Sequence, residues 1–457
     1  MLRIYLDTNL LTKIDKFPQL KEKLSEHSDY LNLVYSSAHI DDLSRSSNDE
    51  LIKQDLKQIK DYTEDQCLAK YWGEEKLRYD IRDPFEFFDT CKETAVEISN
   101  PFDMFAQECE KLGIENPLDR LNNLNHLLDV DTSLPELDNF PFEAFKREKN
   151  FKSLLEDITG FVKESLISNT PLKTTRKNID GQLSRKAIAN VKGNIIDYLN
   201  RELPKTAYNK TFDELVIDSL KIRFNDKPYS HFDWFITAYN TLDLFGYKAD
   251  NNSSTSNIVT DAFHAYYAAH CDIFLTEDKR LRDKARVLYE DGRFDTLILS
   301  ENEFCDQVDS LISKIKDSKS LSNLINYINT LEFEYYYSDV ASKATIAEYY
   351  INTFFAGYFN YAIWLSSMDG INFISFIKQN NTLSNWYYFK ELKSLLKNFV
   401  EWLGPDLNNN AGFINHTVEF PENDIWIGRK WFIGELALSL SQEKEFGFMF
   451  RVQTTKE

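Results

Sequence analysis

The chain has few cysteines and no excess of positive charge. Its five cysteines (Cys67, Cys91, Cys109, Cys271 and Cys305) are odd in number and widely spaced, with no Cys-x-x-Cys pair. That excludes a disulfide framework and a thiolate zinc site, and suits a reducing, cytoplasmic compartment. Acidic residues outnumber basic ones, 73 to 53, for a net charge of −20. A chain of that sign repels a phosphate backbone unless cations gather locally. The N-terminus lacks a signal-peptide layout. There is no Walker loop, no Gly-rich dinucleotide fingerprint, no Ser-His-Asp order, no internal repeat and no low-complexity tract. The aromatic stretch from Ile346 to Leu365 is interrupted by Glu348, Asn352 and Asn360. It therefore reads as a buried helix and not as a membrane span.

What is present begins with a strand over 2–7. A helix follows over 10–26, broken at Pro18, because proline cannot donate within a helix. A second strand, 31–37, runs into a helix at 38–43. This β-α-β-α opening predicts a parallel sheet with crossover helices. Between 51 and 225 the charged residues alternate with Leu, Ile and Phe at helical spacing, which predicts a helical insertion. The α/β pattern resumes over 226–305. The polar linker 251–257 precedes a helix starting at Asp261, a strand at 273–276, a helix at 279–290 and a strand at 296–299. The remainder, 306–457, reads as a mixed α+β domain. Its first part is expected to be helical. Its tail contains a strand at 446–452, where even-numbered positions are all apolar. The length suits about three domains.

Four aspartates sit where strands end or helices begin: Asp7, Asp42, Asp261 and Asp278. In open α/β sheets functional side chains gather at the carboxyl ends of strands, so acids far apart in sequence converge. Convergent carboxylates are hard ligands that suit Mg²⁺ or Mn²⁺. Singly, each acid has a plainer explanation. Asp7 and Asp278 could cap helices, and Asp41 and Asp42 could be solvated acids favoured by a helix dipole. Asp261, His264, Ala265 and Ala268 share one helical face. His264 could orient Asp261 or touch a phosphate, although a lone histidine on such a face is more often simply packed. Asp272 precedes its strand and is expected at the opposite edge of the sheet.

Jointly, Leu6-Asp7-Thr8-Asn9, Ser37…Asp42-Leu43, Asp261…Ala268 and Phe274-Leu275-Thr276-x-Asp278 resemble the PIN nuclease family over about 1–45 and 230–305. The resemblance implies a PIN-like parallel sheet flanked by helices, with Asp7, Asp42, Asp261 and Asp278 as catalytic acids and metal ligands. Asn9, Thr276 and His264 would face the substrate. Two departures are an aspartate at the second acid, where glutamate is usual, and the long insertion. The implied reaction is Mg²⁺- or Mn²⁺-dependent cleavage of RNA, leaving a 5′-phosphate and a 3′-hydroxyl; a toxin or defence effector is one such role. Alternatives are a PIN-fold scaffold that binds RNA or protein without cutting, and a structure-specific DNA nuclease. The partner expected is nucleic acid, RNA ahead of DNA, with no membrane.

The run Lys173, Arg176, Lys177, Arg185, Lys186, Lys192 contains only Asp180 as an acid. It suits a track for substrate phosphates as well as it suits a solvated helix face. The excess chain could cover the cleft, hold a regulatory partner or build a homo-oligomer. Tyr335, Tyr336, Tyr337, Phe354, Phe355, Trp364, Trp386 and Tyr387 are the aromatic candidates for such an interface.

Overall fold

The computed structural model describes residues 1–71, 77–98, 194–206, 208–224, 228–249, 255–292, 294–317, 335–339, 344–367, 372–378, 389–420, 426–443 and 447–454, with isolated positions around 183–193 and 323–332. Two sheets organise these residues. The first has six strands: β1 (Leu2–Leu6), β2 (Leu31–Ser36), β3 (Gln66–Ala69), β4 (Arg78–Ile81), β5 (Ile273–Leu275) and β6 (Leu297–Leu299), in the order β4-β3-β2-β1-β5-β6. Every pairing is parallel except β3 with β4. From β1 the chain winds outward through β2, then returns to the other side of β1 as β5. The strand order therefore reverses at the β1/β5 boundary, where open α/β sheets form their ligand crevice.

The sheet is covered on both faces. Leu2, Ile4 and Leu6 of β1 enter one core with Leu33, Leu275 and Val308, while Tyr5 enters the other with Val34, Phe274 and Ala265. This alternation follows from the two-residue period of a strand. The first core is closed by α1 (Thr8–Leu11), α2 (Pro18–Glu26), α4 (Asp49–Thr63) and α11 (Glu301–Asp317). The second is closed by α6 (Ile195–Glu202), α7 (Phe212–Phe224), α8 (His231–Leu244), α9 (Thr255–Ala268) and α10 (Lys279–Gly292). Helices α3 (Ser37–Ser44) and α5 (Pro84–Ile98) lie near β2 and β3. Pro18 is the first residue of α2, where its missing N–H and fixed φ are tolerated.

The helical texture expected over 51–225 does not hold throughout. Residues 66–69 and 78–81 extend the parallel sheet, as strands only four residues long among charged side chains. Helix α9 begins at Thr255, so the polar linker is shorter than expected and Asp261 lies inside the helix.

The second sheet is antiparallel and seven-stranded, in the order β11-β12-β13-β10-β9-β8-β7. Its strands are β7 (Tyr335–Asp339), β8 (Ala344–Phe355), β9 (Phe359–Ser367), β10 (Asn372–Ile377), β11 (Arg429–Ile433), β12 (Leu436–Glu443) and β13 (Gly447–Thr454). The helix expected across 346–365 is instead the β8–β9 pair. The reason is in the pattern: Ala347, Tyr349 and Ile351 are buried, while Glu348 and Tyr350 lie on the other face, a period of two. The terminal strand expected at 446–452 is β13. Gly434 takes a φ of 58° in the two-residue turn between β11 and β12, a conformation that side-chain-bearing residues disfavour. One helix, α12 (Phe389–Leu403), lays Leu392, Leu395, Leu396 and Phe399 on this sheet against Phe355, Phe359 and Phe450.

Ion pairs join the two sheets at the edge of the parallel sheet where β1 begins. Arg3 donates from Nε to Glu391 Oε1 at 2.6 Å and from Nη2 to Glu391 Oε2 at 2.8 Å. Lys378 donates to Asp272 Oδ2 at 2.6 Å, and the same oxygen accepts from Arg3 N at 2.7 Å. All four side chains are almost fully buried. Asp272 thus sits at the edge away from Asp7 and belongs to the joint. Among the described residues, no helix is long and apolar enough to cross a membrane.

Candidate acid site at the sheet's carboxyl edge

The carboxyl end of β1 delivers Asp7. Its backbone N donates to Leu275 O of the neighbouring strand, which ties the end of β1 to β5. Asp7 caps α1, with Oδ1 accepting from Leu10 N at 2.9 Å. The capping role open to Asp7 from the sequence is therefore one that it fills. Its second oxygen, Oδ2, accepts from Thr276 Oγ1 at 2.6 Å. Thr276 Oγ1 in turn accepts from Asp278 N at 3.1 Å. The threonine therefore links two of the four acids by orienting them, a more specific role than a general substrate contact.

Asp278 caps α10: Oδ1 accepts from Arg280 N at 2.7 Å and from Leu281 N at 3.1 Å. The cap occupies Oδ1 of Asp278 and not Oδ2. Asn9 is exposed, and its Oδ1 accepts from Lys13 Nζ at 2.8 Å.

Asp42 comes from the second turn of α3, whose start is fixed by a capping box between Ser36 and His39. Asp42 Oδ2 accepts from Thr8 Oγ1 at 2.6 Å and from His264 Nε2 at 3.0 Å. Arg45 Nη1 lies 3.6 Å from Asp42 Oδ1. Of the two neighbouring acids, Asp42 is the one bonded across to α1 and α9. The short aspartate side chain is long enough for both contacts. His264 therefore orients Asp42, not Asp261 on its own helix.

His264 is held from behind. Its Nδ1 lies 2.8 Å from Tyr5 Oη, and Tyr5 Oη lies 2.6 Å from Ser36 Oγ. His39 stands edge-on to His264, with ring centroids 4.9 Å apart. His39 Nε2 donates to Leu6 O at 2.8 Å, and its Nδ1 accepts from Ser36 N at 3.1 Å. That pattern requires a neutral ring. Burial and the nearby His264 charge accordingly push the His39 pKa down to about 3.

Asp278 acts on both Asp7 and Asp261, and Asp42 acts on Asp261. Burial pushes Asp261 up to about 7; Lys284 opposes this, while Asp278 and Asp42 add to it. Burial also raises Asp7, against its bonds from Thr276 and Leu10 and the charge of His264, with Asp278 raising it further. Asp42 goes the other way. Burial would raise it, but the His264 hydrogen bond and charge, then Thr8 and Arg45, outweigh that and lower it to about 2. His264 is raised: burial lowers it, and the Asp42 bond and charge overcome the burial. The outcome is an imidazolium–carboxylate pair beside carboxyls that resist ionisation.

The donor set is all carboxylate and fits a hard divalent cation. Asp261 has no hydrogen bond among the described residues, so its oxygens are uncommitted, and like-charge neighbours raise its pKa in a way that a cation would relieve. The acids are not drawn together as a finished ligand set. Among the described residues, the one group of His, Cys, Asp and Glu with three ligand atoms within 4.8 Å of one another is Glu26, His27 and Asp309, at the C-terminal end of α2 and on α11. Lys23 Nζ already binds Glu26 and Asp309 there.

Sequence reasoning missed Tyr5, Thr8, Arg45 and Lys284. Lys284 had a readable signal: in α10, Leu281, Lys284, Ala285 and Leu288 recur at i, i+3, i+4 and i+7, and all are buried. A lysine within an apolar face calls for a partner; it is Asp243, at 2.8 Å. The basic run at Lys173, Arg176, Lys177, Arg185, Lys186 and Lys192 lies outside the described residues, as do Trp386 and Tyr387. Tyr335, Tyr336 and Tyr337 are exposed on β7, an edge strand, whereas Phe355 is core.

Compared with known proteins, the chain matches no family model, no curated protein and no solved structure.

Proposed function

We propose that the chain is a PIN-type nuclease that hydrolyses single-stranded RNA with carboxylate-bound Mg²⁺ or Mn²⁺. What supports this most is that Thr276 joins Asp7 to Asp278 at the carboxyl ends of β1 and β5, where the strand order reverses. Asp261 and Asp278 keep uncommitted oxygens and would hold the cation, with Asp7 and Asp42 completing its surroundings. Bound there, the cation would lower the pKa of a water and stabilise charge on the phosphate.

The chain's own residues do the arranging. Thr276 fixes Asp7 and Asp278 relative to each other. Thr8 and His264 fix Asp42 and keep it ionised. In the reaction, a water oxygen bonds to phosphorus and the P–O3′ bond breaks. The departing 3′ oxygen takes a proton, leaving a 5′-phosphate and a 3′-hydroxyl.

A second reading, a scaffold that binds nucleic acid or protein without cutting, is favoured by one specific observation. Both oxygens of Asp7 already accept protein hydrogen bonds. Incubating the purified protein with labelled RNA and DNA strands, with Mn²⁺ or with EDTA, separates the two readings and also distinguishes RNA from DNA as substrate.

A further inference from the structure

The Asp42 side of the site carries a cation to which the reading above gives no part in binding substrate. Among the described residues, two cationic side chains lie at ion-pair distance from any of the four acids, and both face Asp42: His264 at 3.0 Å and Arg45 at 3.6 Å. They differ in access. The His264 side chain is 3% exposed, whereas those of Arg45 and Asp42 are 35% and 30% exposed. Arg45 is therefore the cation beside the acids that a bound strand can reach.

Arg45 is the C-cap residue of α3, and its guanidinium crosses to the first turns of α9. Nη1 donates to Asn257 Oδ1 at 3.0 Å, and Nη2 donates to Thr260 Oγ1. Thr260 directly precedes Asp261 in the chain, so the guanidinium is fixed between Asp42 and the segment that delivers Asp261. Both of these acceptors are neutral. Asp42 Oδ1, at 3.6 Å, is beyond hydrogen-bond range, and a partly exposed ion pair of that kind is weak. The guanidinium is thus oriented by neutral groups, and its charge is not consumed in a tight carboxylate pair. A planar fork held in this way matches the oxygens of a phosphate. It also answers an electrostatic need, because a chain of net charge −20 repels a phosphate backbone wherever no cation is placed to receive it.

We propose that Arg45 binds a non-bridging phosphoryl oxygen of the single strand held at the acid site. This rests on the nuclease reading and extends it by assigning a substrate contact at the solvent-open side of Asp42.

The test compares Arg45→Gln, which removes the charge, with Arg45→Lys, which keeps the charge but not the fork. Lys397→Gln is the control: it removes an equal charge from an exposed position on α12, over the other sheet. Fluorescence anisotropy with a labelled single-stranded RNA, in Ca²⁺ and across a range of salt, reads affinity and its salt slope; thermal melting reads the fold. Arg45→Gln should bind about tenfold more weakly or worse, the loss typical of a hydrogen bond to a charged group. Its slope of log affinity against log salt should be shallower by about 0.7, one phosphate contact on a single strand. Arg45→Lys should keep the slope and lose about fivefold in affinity, since an ammonium is a point charge without the fork. Lys397→Gln should change neither. A brace between α3 and α9 alone would lower the melting temperature of the Arg45 variants and leave affinity and slope as they were. Affinity within about twofold of the unaltered protein in either Arg45 variant, or an equal loss in Lys397→Gln, overturns the assignment of Arg45 while leaving the nuclease reading standing. An unaltered protein that binds no single-stranded RNA or DNA overturns both.

Discussion

His264 Nε2 lies 3.0 Å from Asp42 Oδ2 and makes no hydrogen bond to Asp261, three residues away on the same helix. The pair joins α9 to α3 across 222 residues of sequence. Tyr5 and Ser36 brace the far side of the ring, so the imidazole is fixed at both nitrogens.

Replacing His264 with alanine should therefore cost about 3 kcal/mol of stability, the lower end for breaking a buried charged pair, since Asp42 keeps some contact with water. Urea unfolding at pH 6 measures it. A loss below about 0.5 kcal/mol would mean that the pair is not a fixed feature of the site.

The shift of Asp261 makes a prediction of opposite sign. Its carboxyl is raised from 3.8 to about 7, mainly by burial, so the folded chain holds that proton more tightly than the unfolded one. Stability attributable to this group falls as pH rises from about 4 to 7. Asp261→Asn removes the charge and keeps the shape. In metal-free buffer the variant should match the unaltered protein at pH 4 and exceed it by about 3 kcal/mol at pH 8. Melting curves across that range decide it, and a variant less stable at pH 8 would contradict the crowding of the acids. Asp7→Asn should show a smaller gain, because Asp7 Oδ2 accepts from Thr276 Oγ1 and an amide nitrogen in that place cannot accept.

The joint between the sheets gives a third prediction. Burial would raise Glu391, but the Arg3 charge and hydrogen bond outweigh it and hold Glu391 below its ordinary 4.5. Its contribution is thus fully present above about pH 4.5 and is lost as pH falls through the lower folded value. Glu391→Gln should destabilise the protein by about 3 kcal/mol at pH 7, and the gap should narrow in acid. Chemical denaturation at pH 7 and pH 3.5 checks both statements.

Much of the parallel sheet was legible because each strand near the site is a short apolar run closed by a polar residue: Leu2–Leu6 before Asp7, Ile273–Leu275 before Thr276 and Asp278. The strands β3 and β4 were hidden by their length of four residues and their charged neighbours. Helix α9 begins among residues that disfavour helix interiors, so its first turn read as linker. In β8 and β9, tyrosines and phenylalanines line both faces, and the two-residue period is weak beneath them. The sequence marks the four aspartates as candidates but gives no sign of their partners. Nothing local in the sequence indicates that His264 reaches Asp42, or that Lys284 pairs with Asp243.

The central claim is that the four acids support metal-dependent cleavage of a nucleic-acid strand. The most direct measurement is a gel of labelled single-stranded RNA and DNA incubated with the purified protein and with Asp7→Asn, each with Mn²⁺ and with EDTA. The account predicts RNA products carrying 5′-phosphates with the unaltered protein in Mn²⁺, none in EDTA, and at least a hundredfold loss with Asp7→Asn, a full charge removed from the site being worth about 3 kcal/mol or more. Undiminished cleavage by Asp7→Asn, or cleavage that survives EDTA, would contradict it.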